Sequence, residues 1–218
     1  MVILGLTGSI GMGKSAAAAN FRRLGVPVHD ADKVVHGLLA RGGAAVEKIA
    51  RLFPDAVKDG AIDRGYMAGQ VFEDPDALGR LEAVLHPMVR RDEIAFLGAA
   101  ARRGCGLVVL DVPLLFETGG EARCDAVVVV SCPRCIQEQR VLKRPGMTRE
   151  RFESILARQM PDAEKRRRAD FVILTGLNRA FGLNQVRNIV TIASGWRGTK
   201  WPPRPQPSRH RKGKKADA

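Results

Sequence analysis

Residues Gly8, Ser9, Ile10, Gly11, Met12, Gly13, Lys14 and Ser15 run as Gly, four free positions, Gly, Lys and a hydroxyl residue, the spacing of a phosphate-cradling loop. Glycines let successive backbone N–H groups turn inward, the N-terminus of a following helix adds partial positive charge, and Lys14 reaches the outer phosphates. Ser15 offers a hydroxyl to magnesium, and the nucleotide contact is expected to run on to Ala16. The chemistry implied is binding of a nucleoside triphosphate with Mg2+.

Carboxylates follow where such a site needs them. Asp30 and Asp32 come directly after the short apolar run Val26–Val28 and His29, at the carboxyl end of an expected strand, where open parallel sheets place their ligands. One of them can cap the next helix, while the other accepts a proton from an acceptor hydroxyl or helps to hold magnesium. Asp111 ends the run Leu107–Leu110 and is a second candidate on the magnesium side. Pro113, Leu114, Leu115 and Phe116, with Glu117 behind them, read as an apolar substrate wall.

Arginines are candidates for holding phosphates, because a guanidinium forks onto two phosphate oxygens. Arg64 and Arg90 are placed on the acceptor side, with His86 close to Arg90 on a proline-interrupted stretch. Gln137, Arg140, Lys143 and Arg144 recur at spacings of three and four, so they share a helix face. Arg140 is the candidate for a lid arginine that closes over the triphosphate, the alternative being a solvated basic face.

The elements that must position these residues alternate. Val2–Leu6, Val26–His29, Leu107–Asp111, Ala126–Val130 and Phe171–Leu174 read as strands, mostly continuous apolar runs of the kind covered on both faces. Helices are expected at Ala16–Leu24, Lys33–Ala40, Ala44–Phe53, Arg64–Phe72, Asp76–Ala101, across 136–168 and at Arg179–Ser194, with breaks at Pro54, Gly60, Pro75 and Pro87. The fold class is α/β, a parallel sheet covered by helices on both faces. At 218 residues and 45% hydrophobic, one core with small inserted subdomains is expected. Residues 1–195 form that domain, with an acceptor-binding helical insertion over about 33–104 and a helical lid over about 136–168.

The net charge of +13 is uneven. Residues 196–218 carry eight Lys and Arg against Asp217 alone and are rich in proline, which reads as a disordered tail making at most weak nonspecific contacts with nucleic acid. Neither a signal peptide nor a membrane-spanning run is legible, so a cytoplasmic protein is expected. Cys105, Cys124, Cys132 and Cys135 are then free thiols, and Cys132-Pro133-Arg134-Cys135 lacks the second ligand pair of a zinc site.

A guanine-nucleotide switch would need an Asn-Lys-x-Asp segment, which is absent, and the few aromatic residues, 5%, do not suit a nucleic-acid motor. A small-molecule kinase accounts for the loop, the acidic pair, the helical block and the arginines together. At this point a resemblance is specific. The run Gly5–Ser15, Gly25–Val28 with Asp30-Ala31-Asp32, Leu85-His86-Pro87, Val112–Glu117 and Ala169–Ile173 resemble dephospho-coenzyme A kinases, in order along residues 1 to about 190. The resemblance implies a P-loop kinase fold and ATP-dependent phosphorylation of the ribose 3′-hydroxyl of dephospho-coenzyme A, the last step of coenzyme A synthesis. It implies that Asp32 lies near the acceptor hydroxyl, that Lys14 and Ser15 meet the phosphates and magnesium, and that Arg140 belongs to the lid. Asp30, His86 and Arg90 match acceptor-side positions. One departure stands out: the family commonly has an Asp-Asn pair after the last strand, where this chain has Leu174-Thr175, which leaves the choice between ATP and GTP open. A nucleoside or nucleoside-monophosphate kinase and a nucleic-acid-binding ATPase are the rival readings, and the oligomeric state is not legible.

Overall fold

The computed structural model describes residues 1–71 and 74–203 in full and the backbone of 72 and 73. Five strands, β1 (Val2–Thr7), β2 (Val28–Asp30), β5 (Leu107–Asp111), β6 (Ala126–Ser131) and β7 (Phe171–Leu174), form one sheet in the order β2-β5-β1-β6-β7. Every pairing in it is parallel. Both faces are covered, which is why the strands read as unbroken apolar runs. Val2, Leu4 and Leu6 pack with Ala17, Phe21, Val186 and Ile189 of helices α1 (Lys14–Arg23) and α9 (Arg179–Ser194). Ile3, Val108 and Leu110 pack on the other face with Leu97 and Ala100 of α5 (Pro75–Arg102). The α/β class expected from the sequence is the observed one.

Between β2 and β5 the chain inserts α2 (Ala31–Leu39), α3 (Val46–Leu52), a hairpin of β3 (Val57–Lys58) and β4 (Ala61–Ile62), α4 (Arg64–Glu73) and α5. This block has its own small core, with Leu39, Ile49, Phe53, Met67 and Leu85 buried together. One expected break is met here and one needs correction. The expected break at Gly60 is a two-residue hairpin turn, with Asp59 at φ 51° and Gly60 at φ 76°, the conformation an Asp-Gly pair favours. The expected break at Pro87 is absent, because α5 runs through it. Proline removes one N–H from the ladder, but the helix is held on both sides of it, at Leu85 in the small core and at Leu97 and Ala100 against the sheet.

After β6 come α6 (Arg134–Leu142), α7 (Arg149–Ala157) and α8 (Asp162–Arg168), then β7 and α9. Asp170 clips β7 to β6 by accepting the Val127 N–H at 2.7 Å. The segment beginning at Trp196 is not the free tail expected from its composition. Trp196 stacks on Phe171 with ring centroids 5.6 Å apart, and Trp201 packs on the α5 face of the core. The Thr199 N–H and hydroxyl donate to Asp125 Oδ1 at 2.6 and 2.9 Å, while Asp125 Oδ2 accepts the Ile3 N–H at 2.8 Å. Two tryptophans outweigh the charge around them, since each offers a large apolar face. The remainder of the expected tail, 204–218, lies outside the described residues. Among the described residues, no helix is long and apolar enough to cross a membrane.

Candidate active site

The phosphate loop leaves β1 at Thr7 and enters α1 at Lys14. Gly11 and Gly13 hold φ of 79° and 92°, a region that penalises side chains, and a Cβ on Gly13 would stand 2.9 Å from Thr175 Oγ1. No side chain caps the start of α1 and its first turn is free of acids, and the Ala16 and Ala17 N–H groups turn back to the Gly13 carbonyl, so the helix start suits an anionic ligand at Lys14 and Ser15.

Strand register brings the acids to this loop. Asp30 and Leu6 both align with Asp111, so the ends of β2, β5 and β1 lie side by side. Lys14 Nζ donates to Asp111 Oδ1 at 2.5 Å, and the Asp111 side chain is only 3% exposed. Burial pushes the Asp111 carboxyl above its ordinary range; Lys14 pulls it down, and the charges of Asp30 and Asp32 push it up again. Asp30 is the N-cap of α2, accepting the Lys33 N–H at 3.0 Å, and lies 3.7 Å from Arg22. The capping alternative therefore describes Asp30, while Asp32 stands exposed in the first turn of α2.

Helix α6 rests directly on the loop. A Cβ on Gly11 would meet Val141 Cγ2 at 2.5 Å and Gln137 O at 3.0 Å. Gln137 Nε2 donates to Ile10 O at 2.7 Å, and the Ile10 N–H donates to Gln159 Oε1 at 3.1 Å. Arg140 donates to Thr175 Oγ1 and O at 3.0 and 2.6 Å, and Thr175 Oγ1 donates to Met12 O at 2.5 Å. Ion pairs of Arg134 with Glu153 and of Arg149 with Glu138 tie α6 to α7. Beside the loop opens a cavity of about 860 Å³ lined by Gly13, Ala16, Asn20, Arg140, Thr175 and Leu177.

Several residues placed on the acceptor side from the sequence lie elsewhere. Arg90 pairs with Glu93, which Arg123 also contacts at 3.3 Å, in a cavity lined by Ile3 and Thr199; Ile3 lies at the opposite end of β1 from the phosphate loop. Arg90 is engaged by this buried carboxylate and is not free for an acceptor phosphate. Leu115 and Phe116 are 0% and 6% exposed, so they are core and not substrate wall. Leu115 packs over Gly5, where a Cβ would approach it to 2.6 Å, and Phe116 lies under the Arg168 guanidinium. An apolar run after a strand is explained by that burial. Pro113 and Leu114 stay at the surface of the loop, Leu114 40% exposed, and the Pro113 carbonyl accepts the Thr7 hydroxyl. His86 is exposed on α5, and Arg64 opens α4 with its guanidinium 3.2 Å from His36 Nδ1.

A sequence model of the family described as Dephospho-CoA kinase matches residues 2–178. The chain belongs to the dephospho-CoA kinase family. Proteins named dephospho-CoA kinase that it resembles include one from Paramagnetospirillum magneticum, 62% identical over 166 residues, covering 76% of this chain and 78% of the relative. Another, from Rhodospirillum rubrum, is 54% identical over 215 residues, covering 94% and 99%. The solved structure of TT1252 from Thermus thermophilus matches with a TM-score of 0.77 at 39% identity, covering 88% of this chain and 96% of its own. A dephospho-CoA kinase from Campylobacter jejuni, 22% identical, shares the fold with a TM-score of 0.59, covering 88% and 96%.

As a member of the dephospho-CoA kinase family, the chain is a phosphotransferase. Sequence reasoning missed Gln159, which meets Ile10 across 149 positions of chain. Nor did it find the partners of Glu117. Glu117 Oε1 accepts the Met160 N–H at 2.9 Å and lies 2.8 Å from Lys165 Nζ, a side chain with no exposure. Burial pushes the Glu117 carboxyl up, but Lys165 and the Met160 N–H outweigh it and hold it below its ordinary range. The Cys-Pro-Arg-Cys run is divided, with Cys132 buried against Met12 Sδ and Cys135 exposed. Among the described residues, no His, Cys, Asp and Glu cluster is suited to hold a metal by itself.

Proposed function

We propose that this chain transfers the γ-phosphate of ATP to the ribose 3′-hydroxyl of dephospho-coenzyme A, giving coenzyme A. The observation that carries the assignment of roles is the alignment of Asp30 and Leu6 with Asp111, which sets Asp32, Asp111 and Lys14 at one edge of the sheet beside the phosphate loop. The loop N–H groups and Lys14 bind the phosphates of ATP. Arg140 and Thr175 line the cavity beside them and form one wall of the nucleotide site. The acceptor enters from the side of the helical block, between α2 and the exposed Leu114, with Arg64 and His86 available on that block. Asp32, exposed and unshielded by a cap interaction, orients the 3′-hydroxyl and takes its proton. Lys14 and Arg140 offset the charge that spreads over the transferring group.

The oxygen donors Ser15, Asp111 and Asp32 suit a hard cation, and the absence of a protein-only cluster among the described residues suits one held largely by phosphates and water. Ser15, with Asp111 or Asp32, would hold Mg2+, which when bound neutralises charge on the β- and γ-phosphates. We place residues 31–102 as the acceptor region and 134–168 as the lid. A cytoplasmic location fits the four free cysteines.

A coupled assay of ADP release with ATP and dephospho-coenzyme A, adenosine or AMP tests the reading. Turnover is expected with dephospho-coenzyme A and a mass gain of one phosphate at the 3′ position. Preferential turnover of adenosine or AMP would replace it with a nucleoside or nucleoside-monophosphate kinase.

A further inference from the structure

Both hydrogen-bonding groups of Ile10, in the middle of the phosphate loop, are engaged by the lid. The Ile10 carbonyl accepts from Gln137 Nε2 at 2.7 Å, and the Ile10 N–H donates to Gln159 Oε1 at 3.1 Å. A carbonyl only accepts and an N–H only donates, so the orientation of both side-chain amides is settled by their partners. The two glutamines come from the two roots of the lid, Gln137 from α6 and Gln159 from the link between α7 and α8.

Neither contact is incidental. Gln137 is 2% exposed and sits on the helix whose backbone and Val141 abut Gly11. The Gln159 link is held in place by the Met160 N–H to Glu117 bond, by Lys165 beside the same carboxylate, and by the Ser131 hydroxyl donating to Asp162 Oδ2 at 2.7 Å. An amide deprived of its partner in such a half-buried loop turns toward another acceptor, and the glycine that follows, with φ 79°, permits that rotation at little cost.

We propose that Gln137 and Gln159 are positioning residues that hold the phosphate loop in its nucleotide-binding shape through Ile10 and couple it to both roots of the lid. They touch no reacting atom; they act through the backbone that cradles the phosphates. The proposal rests on the nucleotide-loop reading, and its first test does not depend on turnover.

Amide hydrogen exchange of nucleotide-free protein, followed by NMR, reads the Ile10 N–H directly. Gln159→Met, which keeps the length of the side chain and removes the acceptor, is expected to speed Ile10 exchange about tenfold or more while the melting temperature stays within about 3 °C. Gln159→Glu keeps an acceptor oxygen and is expected to keep exchange slow. In steady-state assays Gln159→Met and Gln137→Met should each raise KM for ATP roughly fivefold to twentyfold, with KM for dephospho-coenzyme A within about twofold of wild type. Because both act on one residue, the double variant should lose much less than the product of the single losses. Unchanged Ile10 exchange in Gln159→Met, exchange as fast in Gln159→Glu as in Gln159→Met, or unchanged KM for ATP would each overturn the proposal. A Gln137→Met protein that does not fold leaves the Gln159 variants to decide it. Wild-type protein inactive on dephospho-coenzyme A would count against the proposed function alone, since Ile10 exchange would still report the grip.

Discussion

Lys14 Nζ and Asp111 Oδ1 lie 2.5 Å apart, joining the first turn of α1 to the end of β5 beneath the phosphate loop. The carboxylate is nearly sealed from water, so its charge is costly and is tolerated because a cation faces it.

Asp111→Asn is expected to separate stability from activity. The carboxyl titrates above its ordinary value of 3.8, so its protonated form is the one that folding favours. That contribution is fully present below the unfolded value and is lost as pH rises through the raised folded value. At pH 7.5 the Asn variant should therefore melt no lower than wild type, with any gap closing toward the carboxyl's ordinary value of 3.8. Activity should fall by about a hundredfold or more, because the partner of Lys14 is altered. Calorimetry from pH 4 to 8 beside steady-state kinetics checks both; a variant that melts well below wild type at pH 7.5 would contradict the account.

Asp30 and Asp32 should part company on mutation. Asp32→Asn is expected to lower kcat by ~10²–10⁴ with little change in KM for ATP. Asp30→Ala instead removes a helix cap and should cost about 1 kcal/mol of stability, with a much smaller loss of kcat. Urea unfolding and initial-rate kinetics on the two variants separate a base from a cap, and near-normal turnover in Asp32→Asn would remove it from the role of base.

Glu117 faces a lysine with no exposure to water. Glu117→Ala would strand that charge and is expected to cost about 3 kcal/mol. The carboxyl titrates below its ordinary value of 4.5, so its stabilisation is present above that pH and is lost as pH falls through the lower folded value. The difference between wild type and Glu117→Gln in urea unfolding should be constant near neutrality and shrink below pH 4.5.

The strap at Trp196–Pro203 is expected to carry stability and not catalysis. Trp201→Ala should lower the melting temperature by roughly 4–8 °C, about 2 kcal/mol for a partly buried indole, with kcat within twofold of wild type. Thermal unfolding and the coupled assay measure the two effects, and an unchanged melting temperature would return the segment to a free tail.

The phosphate loop, the sheet strands and the acids at their ends were legible because each depends on local spacing: a glycine pattern, an apolar run, a carboxylate after it. Leu115, Phe116 and Arg90 were misplaced because residue type does not reveal which way a side chain faces. An apolar shelf and a core segment have the same composition, and an arginine destined for Glu93 looks like one destined for phosphate. Pro87 misled for a related reason, since packing at Leu85 and Leu97 overrode a local preference.

From the sequence alone came the nucleotide loop, the α/β class and the resemblance to one kinase family, all carried by contiguous motifs. Tertiary structure alone decided that Asp111 answers Lys14, that Asp30 serves as a cap, and that Gln137 and Gln159 close on Ile10. The Asp111 and Ile10 contacts join residues 97 to 149 positions apart, a distance that a linear pattern does not hold, whereas the Asp30 cap spans three positions and the sequence left open only which of two acids would make it.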